Sequence, residues 1–553
     1  MNQQLIAFLA YLSPSLFVIT ALTSWYQAGL RPTAVKKLGM ISSFFGILSS
    51  LILAYAVYQQ DLIEISTFSI YGLGLSLRLD TVSMLMFSMI AILSFVIMRY
   101  SLNYLDGDHR QGTFLGRLAA TIVSVQFLVL SGNLAVLLAS WILTSLCLHR
   151  LLVFYKKRPG AIIAAKKKSI VARLADISLL IGFVLLYQIF GTGNLEIIFQ
   201  NVREGISPLL ATATIFIALA ALLKSAQFPT HGWLLEVMET PTPVSSLLHA
   251  GLLNAGPFLI IRLAFIMEAT STASTLLIIL GAFTAIYGSV VYLTQTSIKT
   301  ALGYSSIAHM GFSLMVCGLG VYPAAMLHLI AHSFYKAHSF LSSGSVIDLI
   351  RAAKVTGAKR IGNPFKIILG ILLAIAMYSS FAYLWGVDIQ NEFQLFVIGG
   401  IIVLGLSRLF SFALDSNASI KLWFQALVLS AVVALAFFSL ESIFHFFLMG
   451  NVPELTIPSL SEVILMSTVL TLFGLVVFIQ IFSPILNQKS SFQALAVHIR
   501  NGLYINVVFD RIVRAHYHKE DSNSRIVLEE AEIGKYILDS KENNNEEQEE
   551  RLA

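Results

Sequence analysis

Apolar runs of about twenty residues recur along almost the whole sequence, and such a chain can be at home only in a lipid bilayer. Runs long enough to cross about 30 Å of hydrocarbon fall near 5–26, 38–59, 81–100, 114–132, 133–155, 170–191, 208–228, 242–266, 273–295, 297–320, 322–346, 364–386, 393–414, 420–448 and 459–486. A hydropathy count makes these about fifteen transmembrane helices. Of the 553 residues, 57% are hydrophobic and 12% charged, against roughly 25% charged in a soluble domain. The reading is an all-α integral membrane protein with lipid around it. The net charge of +6 does not point to nucleic acid, because the basic residues gather in loops between apolar runs. Cys147 and Cys317 lie inside apolar runs. They make no disulfide framework and no iron–sulfur spacing, and read as small core residues. The first run lacks a basic segment before it and a clear small-residue cleavage site, so it reads as a retained helix. Residues 62–80 alternate, carry Gly72 and Gly74, and are too short to span. A β-hairpin on one membrane face is expected there.

Basic loops set the orientation. They hold Arg31, Lys36 and Lys37; then Lys156, Lys157, Arg158, Lys166, Lys167 and Lys168; then Arg351, Lys354, Lys359 and Arg360. Loops with Asp61, Glu64 and Asp80, with Asp388 and Glu392, and with Glu441 and Glu454 lean acidic. An outside N-terminus and a cytoplasmic C-terminus put every strongly basic loop in the cytoplasm. Residues 491–517 mix apolar and basic positions, as an interfacial helix pair broken near Asn501-Gly502 or a docking surface would. From Lys541 the chain is acidic and polar, and is expected to be disordered.

Ionisable groups at membrane depth cost at least about 2.5–3.5 kcal/mol on insertion scales, so each raises a functional question. Lys224 follows four turns of apolar helix and precedes Gln227-Phe228-Pro229. A proline there ends or kinks the helix. Lys224 is either a desolvated proton carrier or a snorkelling side chain at a span end. His249 follows a helix start at Pro241-Thr242-Pro243. It is a relay group or a core histidine bonded to a serine. His328, His332 and Lys336 stand four apart, which puts them on one helical stripe. That stripe fits a proton relay, polar glue between helices, or a metal site; the last lacks a nearby carboxylate or cysteine. Lys299, near a span end, and His309 lie in TSIKTALGYSSIAHMG. Asp176 stands three residues after Arg173 and can pair with it.

The stretches LLKSAQFPTHGWLLEVMETPTPVSSLLHA and IKTALGYSSIAHMGFSLMVCGLGVYPAAMLHLIAHSFYKAHSFLSSGSVI closely resemble the antiporter-like subunits of respiratory complex I and the Mrp cation/proton antiporters. With ILTSLCLHRLLVFY and KSIVARLADISLL, the resemblance covers roughly 135–347. It implies two inverted five-helix repeats, each with a broken helix carrying a lysine. The implied divisions are 1–113 for N-terminal helices and hairpin, 114–266 and 267–414 for the repeats, 415–490 for C-terminal helices, and 491–553 for a cytoplasmic segment and tail. Lys224 takes the place of the first broken-helix lysine and His249 the relay position on the next helix. His328, His332 and Lys336 take the relay before the second broken helix.

The sequence departs from that pattern at two points. The family's glutamate after the fifth-helix tryptophan is replaced: Trp141 is followed by Ile142. The second broken helix should hold a lysine, yet 364–386 has only Lys366 at its edge. The long lateral helix of the complex I subunit is not expected either. These departures, with VHIRNGLYINVVFDRIV near the C-terminus, are similar to the membrane-subunit branch of the DAB-type inorganic-carbon accumulating complexes. That resemblance implies a cation-conducting subunit of the bacterial inner membrane, conducting protons or sodium ions and itself without cofactor or catalysis. It would power CO2 hydration and bicarbonate accumulation by a large cytoplasmic, carbonic-anhydrase-like zinc partner of the DabA type. The alternatives are an Mrp-like antiporter, a complex I or hydrogenase-type pumping subunit, or a membrane anchor that has lost conduction.

Overall fold

The computed structural model describes residues 2–155, 159–202, 208–237, 240–343, 363–388, 391–414, 420–482, 486 and 489–517. Residues 1–501 form one compact unit and 502–553 another. The first unit opens with α1 (Gln3–Tyr26) and α2 (Thr33–Gln60), then β1 (Ile63–Ile70) and β2 (Leu73–Leu79). Next come α3 (Thr81–Tyr104), α4 (Gln111–Val129), α5 (Leu134–Leu152), α6 (Pro159–Phe190) and the short α7 (Leu195–Asn201). A fragmented stretch follows: α8 (Pro208–Lys224), α9 (Gly232–Glu236), α10 (Thr242–Ala250), α11 (Ala255–Arg262) and α12 (Ala264–Glu268). Then α13 (Ser271–Tyr292), α14 (Ile298–Gly318) and α15 (Tyr322–Leu341) lead to α16 (Pro364–Trp385), α17 (Phe393–Leu414), α18 (Ile420–Leu448), α19 (Leu460–Ile481) and α20 (Ser490–Arg500). In the second unit the described part is a tight turn, with Leu503 and Tyr504 at positive φ, and α21 (Ile505–Tyr517).

Among the described residues, eleven helices are long and apolar enough to cross a membrane, counting 242–262 as one, and two shorter apolar helices lie at 208–224 and 393–408. This is a multi-pass membrane protein. Each of the expected runs falls on helix. Of the four expected runs outside these eleven, two are the shorter helices, and α14 and α15 carry the histidines and lysines of the relay motif, which dilute their hydropathy.

The hairpin forms where expected, with Tyr71 and Gly72 both at positive φ in the two-residue turn. Two such residues match the twist of the paired strands. The hairpin is stitched to two interhelical loops: Arg78 N–H donates to Leu130 O (2.8 Å), Gly132 N–H to Ser76 O (3.0 Å) and Gly193 N–H to Tyr71 O (3.2 Å). Asp80 caps α3 through the Ser83 amide. Its carboxylate also takes Arg78 Nε at 2.7 Å and Arg262 Nη1 at 2.6 Å, while Arg78 Nη1 reaches Glu196 Oε2 at 2.6 Å. Burial alone would raise the Asp80 carboxyl, but Arg262 and Arg78 hold it below the ordinary carboxylate range.

Two sequence expectations change. Lys166, Lys167 and Lys168 are not in a loop: they lie in α6, with Lys167 and Lys168 buried. The helix-forming stretch Ala161-Ile-Ile-Ala-Ala before them carries the helix past the point where charge ends the hydropathy window. The second break is also missing from its expected place. α16 runs uninterrupted from Pro364 to Trp385, with Lys366 in its first turn. Nothing in 365–385 breaks the hydrogen-bond ladder, since proline occurs only at Pro364, where a helix tolerates it. The basic segment 351–360 and the acidic tail lie outside the described residues.

Candidate ion-conducting site

α8 ends at Lys224, and the backbone then turns sharply, with Ala226 at φ 52°. A helix C-terminus leaves carbonyls without intrahelical partners and favours positive charge, so the break and the lysine belong together physically. Pro229 lies in the turn between α8 and α9, while Pro241 and Pro243 start α10. Lys224 Nζ donates to Trp141 O at 2.9 Å and to Ser145 Oγ at 2.6 Å, and lies 4.2 Å from the Trp141 ring centroid. With Ile142 at the neighbouring position, a backbone carbonyl, a hydroxyl and an aromatic face serve the ammonium. Asp176, on α6, is buried and forms an ion pair with Arg173 at 2.8 Å. It also acts electrostatically on Lys224.

The second group starts at His249, fully buried on α10. Its Nδ1 is 2.9 Å from Ser306 Oγ on α14, and its ring stacks on Phe340 of α15 at 4.3 Å. The serine is distant in sequence. Next to it, Asn254 Nδ2 donates to Ser333 Oγ at 2.6 Å, in the 3₁₀ turn that interrupts the span between α10 and α11. Lys336, buried, donates to Leu302 O at 3.2 Å. His309 Nδ1 lies 3.3 Å from His328 Nε2, and the His309 and His332 rings are 5.0 Å apart. The His328 and His332 rings stack at 6.0 Å.

His309, His328 and His332 thus converge from α14 and α15. Among the described residues no group of three His, Cys, Asp or Glu is placed to hold a metal ion. Both His332 ring nitrogens, His249 Nε2 and Asn254 Oδ1 are buried without a hydrogen-bond partner among the described residues. Buried polar atoms of this kind are costly unless water or a mobile proton reaches them. Lys299 stands apart, half-buried in the first turn of α14, about 15 Å of helix rise from His309.

Sequence reasoning passed over Ser145, Ser306, Asn254 and Lys168, and the Asp80–Arg262 pair. It also left His231 out of the path, although His231 Nε2 meets the Tyr287 hydroxyl at 3.2 Å. Serines carry no periodic signal, and their partners come from other helices. For Lys168 a signal existed in the helix-forming residues ahead of it.

Residues 131–382 match the family model "NADH:quinone oxidoreductase/Mrp antiporter, TM". Residues 65–115 match "NADH-Ubiquinone oxidoreductase (complex I), chain 5 N-terminus". The chain is 35% identical over 515 residues to a probable inorganic carbon transporter subunit DabB2 of Halothiobacillus neapolitanus, covering 90% of this chain and 92% of that protein. It is 38% identical over 353 residues to a probable inorganic carbon transporter subunit DabB of Hydrogenovibrio crunogenus, covering 63% and 66%. Among solved structures, the Mrp complex from Dietzia sp. is similar in fold, with a TM-score of 0.61 at 22% identity, covering 95% of this chain and 61% of that one.

Proposed function

The chain belongs to the DabB family of inorganic carbon transporter subunits, and we propose that it is the proton-conducting half of an energy-coupled inorganic-carbon pump. The observation that carries this reading is the file of titratable groups: Lys224 with Asp176, His249, Lys336 and His332, all buried, and the half-buried His309–His328 pair. Histidine and desolvated lysine exchange protons near neutral pH. Protons enter one half of the path, load Lys224, and pass by way of His249 and Lys336 to the histidine cluster. They leave on the other side. Lys299, at a helix end, serves the mouth of the path. The proton gradient drives one-way hydration of CO2 in a large cytoplasmic zinc partner of carbonic-anhydrase type, so that bicarbonate accumulates. The zinc and the carbon chemistry belong to that partner; this chain conducts and couples, and holds no cofactor.

In cells lacking carbonic anhydrase, the complete complex should restore growth in ambient air, and Lys224→Ala should abolish the rescue. Wild-type rescue by Lys224→Ala at normal expression would sink the proton-path reading. Purification of the intact membrane complex should bring down a chain with Cys, Asp and His zinc ligands. Sodium or proton exchange by this chain alone in vesicles would favour an Mrp-like antiporter instead.

A further inference from the structure

Lys168 is a buried lysine that the path above does not use, and its position is informative. Its Nζ donates to the carbonyl of Ser145 at 2.9 Å, while Lys224 Nζ donates to the hydroxyl of the same serine at 2.6 Å. Lys168 is 5% exposed and Lys224 9%. Two amines from different helices, α6 and α8, therefore converge on one residue of α5.

The charges around them do not balance two ammonium ions. The groups acting on Lys168 are Lys224 from α8, Asp176 and Arg173 from its own helix, and Cys147 from α5; His149, also on α5, feels Lys168 in turn. Asp176 is the one carboxylate in that set, and Arg173 already pairs with it. Glu236 on α9 pairs with the adjacent Lys167. Two like charges in a site of low polarity repel strongly, and one is relieved when it loses its proton.

We propose that Lys168 is the second proton-binding group of the Lys224 site, and that the two lysines hold one exchangeable proton between them. A proton arriving on Lys168 makes it an ammonium and drives the proton from Lys224 onward. When Lys168 gives up its proton, Lys224 reloads. The pair carries one positive charge at each stage, and Ser145 keeps a hydrogen bond to both amines throughout. A carboxylate at position 142 would hold the Lys224 proton by attraction; Lys168 instead releases it by repulsion. This inference rests on the proton-path reading.

The experiment is inorganic-carbon uptake against external pH, in cells producing the complete complex, normalised to complex purified from their membranes. Lys168→Met removes the repelling charge, so the Lys224 ammonium is harder to deprotonate. The pH midpoint of uptake should rise by about one unit. Lys168→Arg keeps a charge that cannot be lost and keeps a donor for the Ser145 carbonyl, so uptake should fall about tenfold or more across the range. A residue that only props the helices would lower complex yield without moving the midpoint. An unmoved midpoint in Lys168→Met, or near wild-type uptake by Lys168→Arg, overturns the proposal while a dead Lys224→Met leaves the path standing. Wild-type uptake by Lys224→Met takes down the path itself.

Discussion

Single side chains fix the ends of helices in this fold. Asp80 is the clearest case: it caps α3, and it bridges Arg78 and Arg262 in a buried cluster. Removing one member of a buried ion pair leaves the others uncompensated, at a typical cost of about 3–5 kcal/mol. Asp80→Asn should therefore lower the melting temperature of the detergent-purified protein at neutral pH, and an unchanged melt would show the cluster to be neutral in energy. The pH dependence has a definite sign. The folded carboxyl is held below its ordinary value by the two arginines, against the opposing effect of burial. Its contribution is thus present above the unfolded value of about 3.9 and is lost as pH falls below it. Acid melts of the wild type should converge on those of Asp80→Asn. The Arg262 partner could not be assigned from the sequence, because it stands 182 residues from Asp80.

At the scale of elements, the contact between α13 and α14 sets where the histidines meet. A Cβ on Gly311 would lie 2.6 Å from the Ala285 backbone nitrogen, and one on Gly281 would lie 2.7 Å from Gly311 O. Small residues let these two backbones touch. Gly311 is two residues from His309, so separating the helices there moves the His309 ring relative to His328. Gly311→Leu should cost about 1–3 kcal/mol by overpacking and should reduce carbon uptake more than it reduces the amount of assembled complex. Equal losses of both would mean that the helix contact matters for stability alone. The helix pattern here was legible in advance, since GYSSIAHMGF and HLIAHSFYKAH place their polar groups at helical spacing. The closeness of the two helices was not, because a glycine in an apolar run reads equally as a packing site or a weak helix position.

For the molecule as a whole, a stitched hairpin closes one end of the helix array. The distribution of basic residues predicts that end outside and the turn between α13 and α14 in the cytoplasm. In a background with Cys147 and Cys317 replaced, a cysteine at Thr67 should react with a membrane-impermeant maleimide in intact cells. A cysteine at Thr296 should react only after permeabilisation; the reverse pattern would invert the topology. The straight α16 gives no interrupted helix where the resemblance implied a second one. The one broken-helix lysine described here, Lys224, has its partners in the first half of the chain.

The apolar runs by themselves determined a multi-pass helical membrane protein. The blocks around Lys224 and His328, with ILTSLCLHRLLVFY and KSIVARLADISLL, pointed to its superfamily. Those properties are local: length, period and composition decide them within one segment. Tertiary structure alone decided which atoms meet. It put Trp141, Ser145 and Lys168 around Lys224, joined His249 to Ser306, and brought His309 against His328. It also put Lys166, Lys167 and Lys168, expected in a basic loop, into a helix that buries Lys167 and Lys168. Charge at membrane depth is tolerated only when a partner is near, and that partner arrives from another helix, at a distance the sequence does not record.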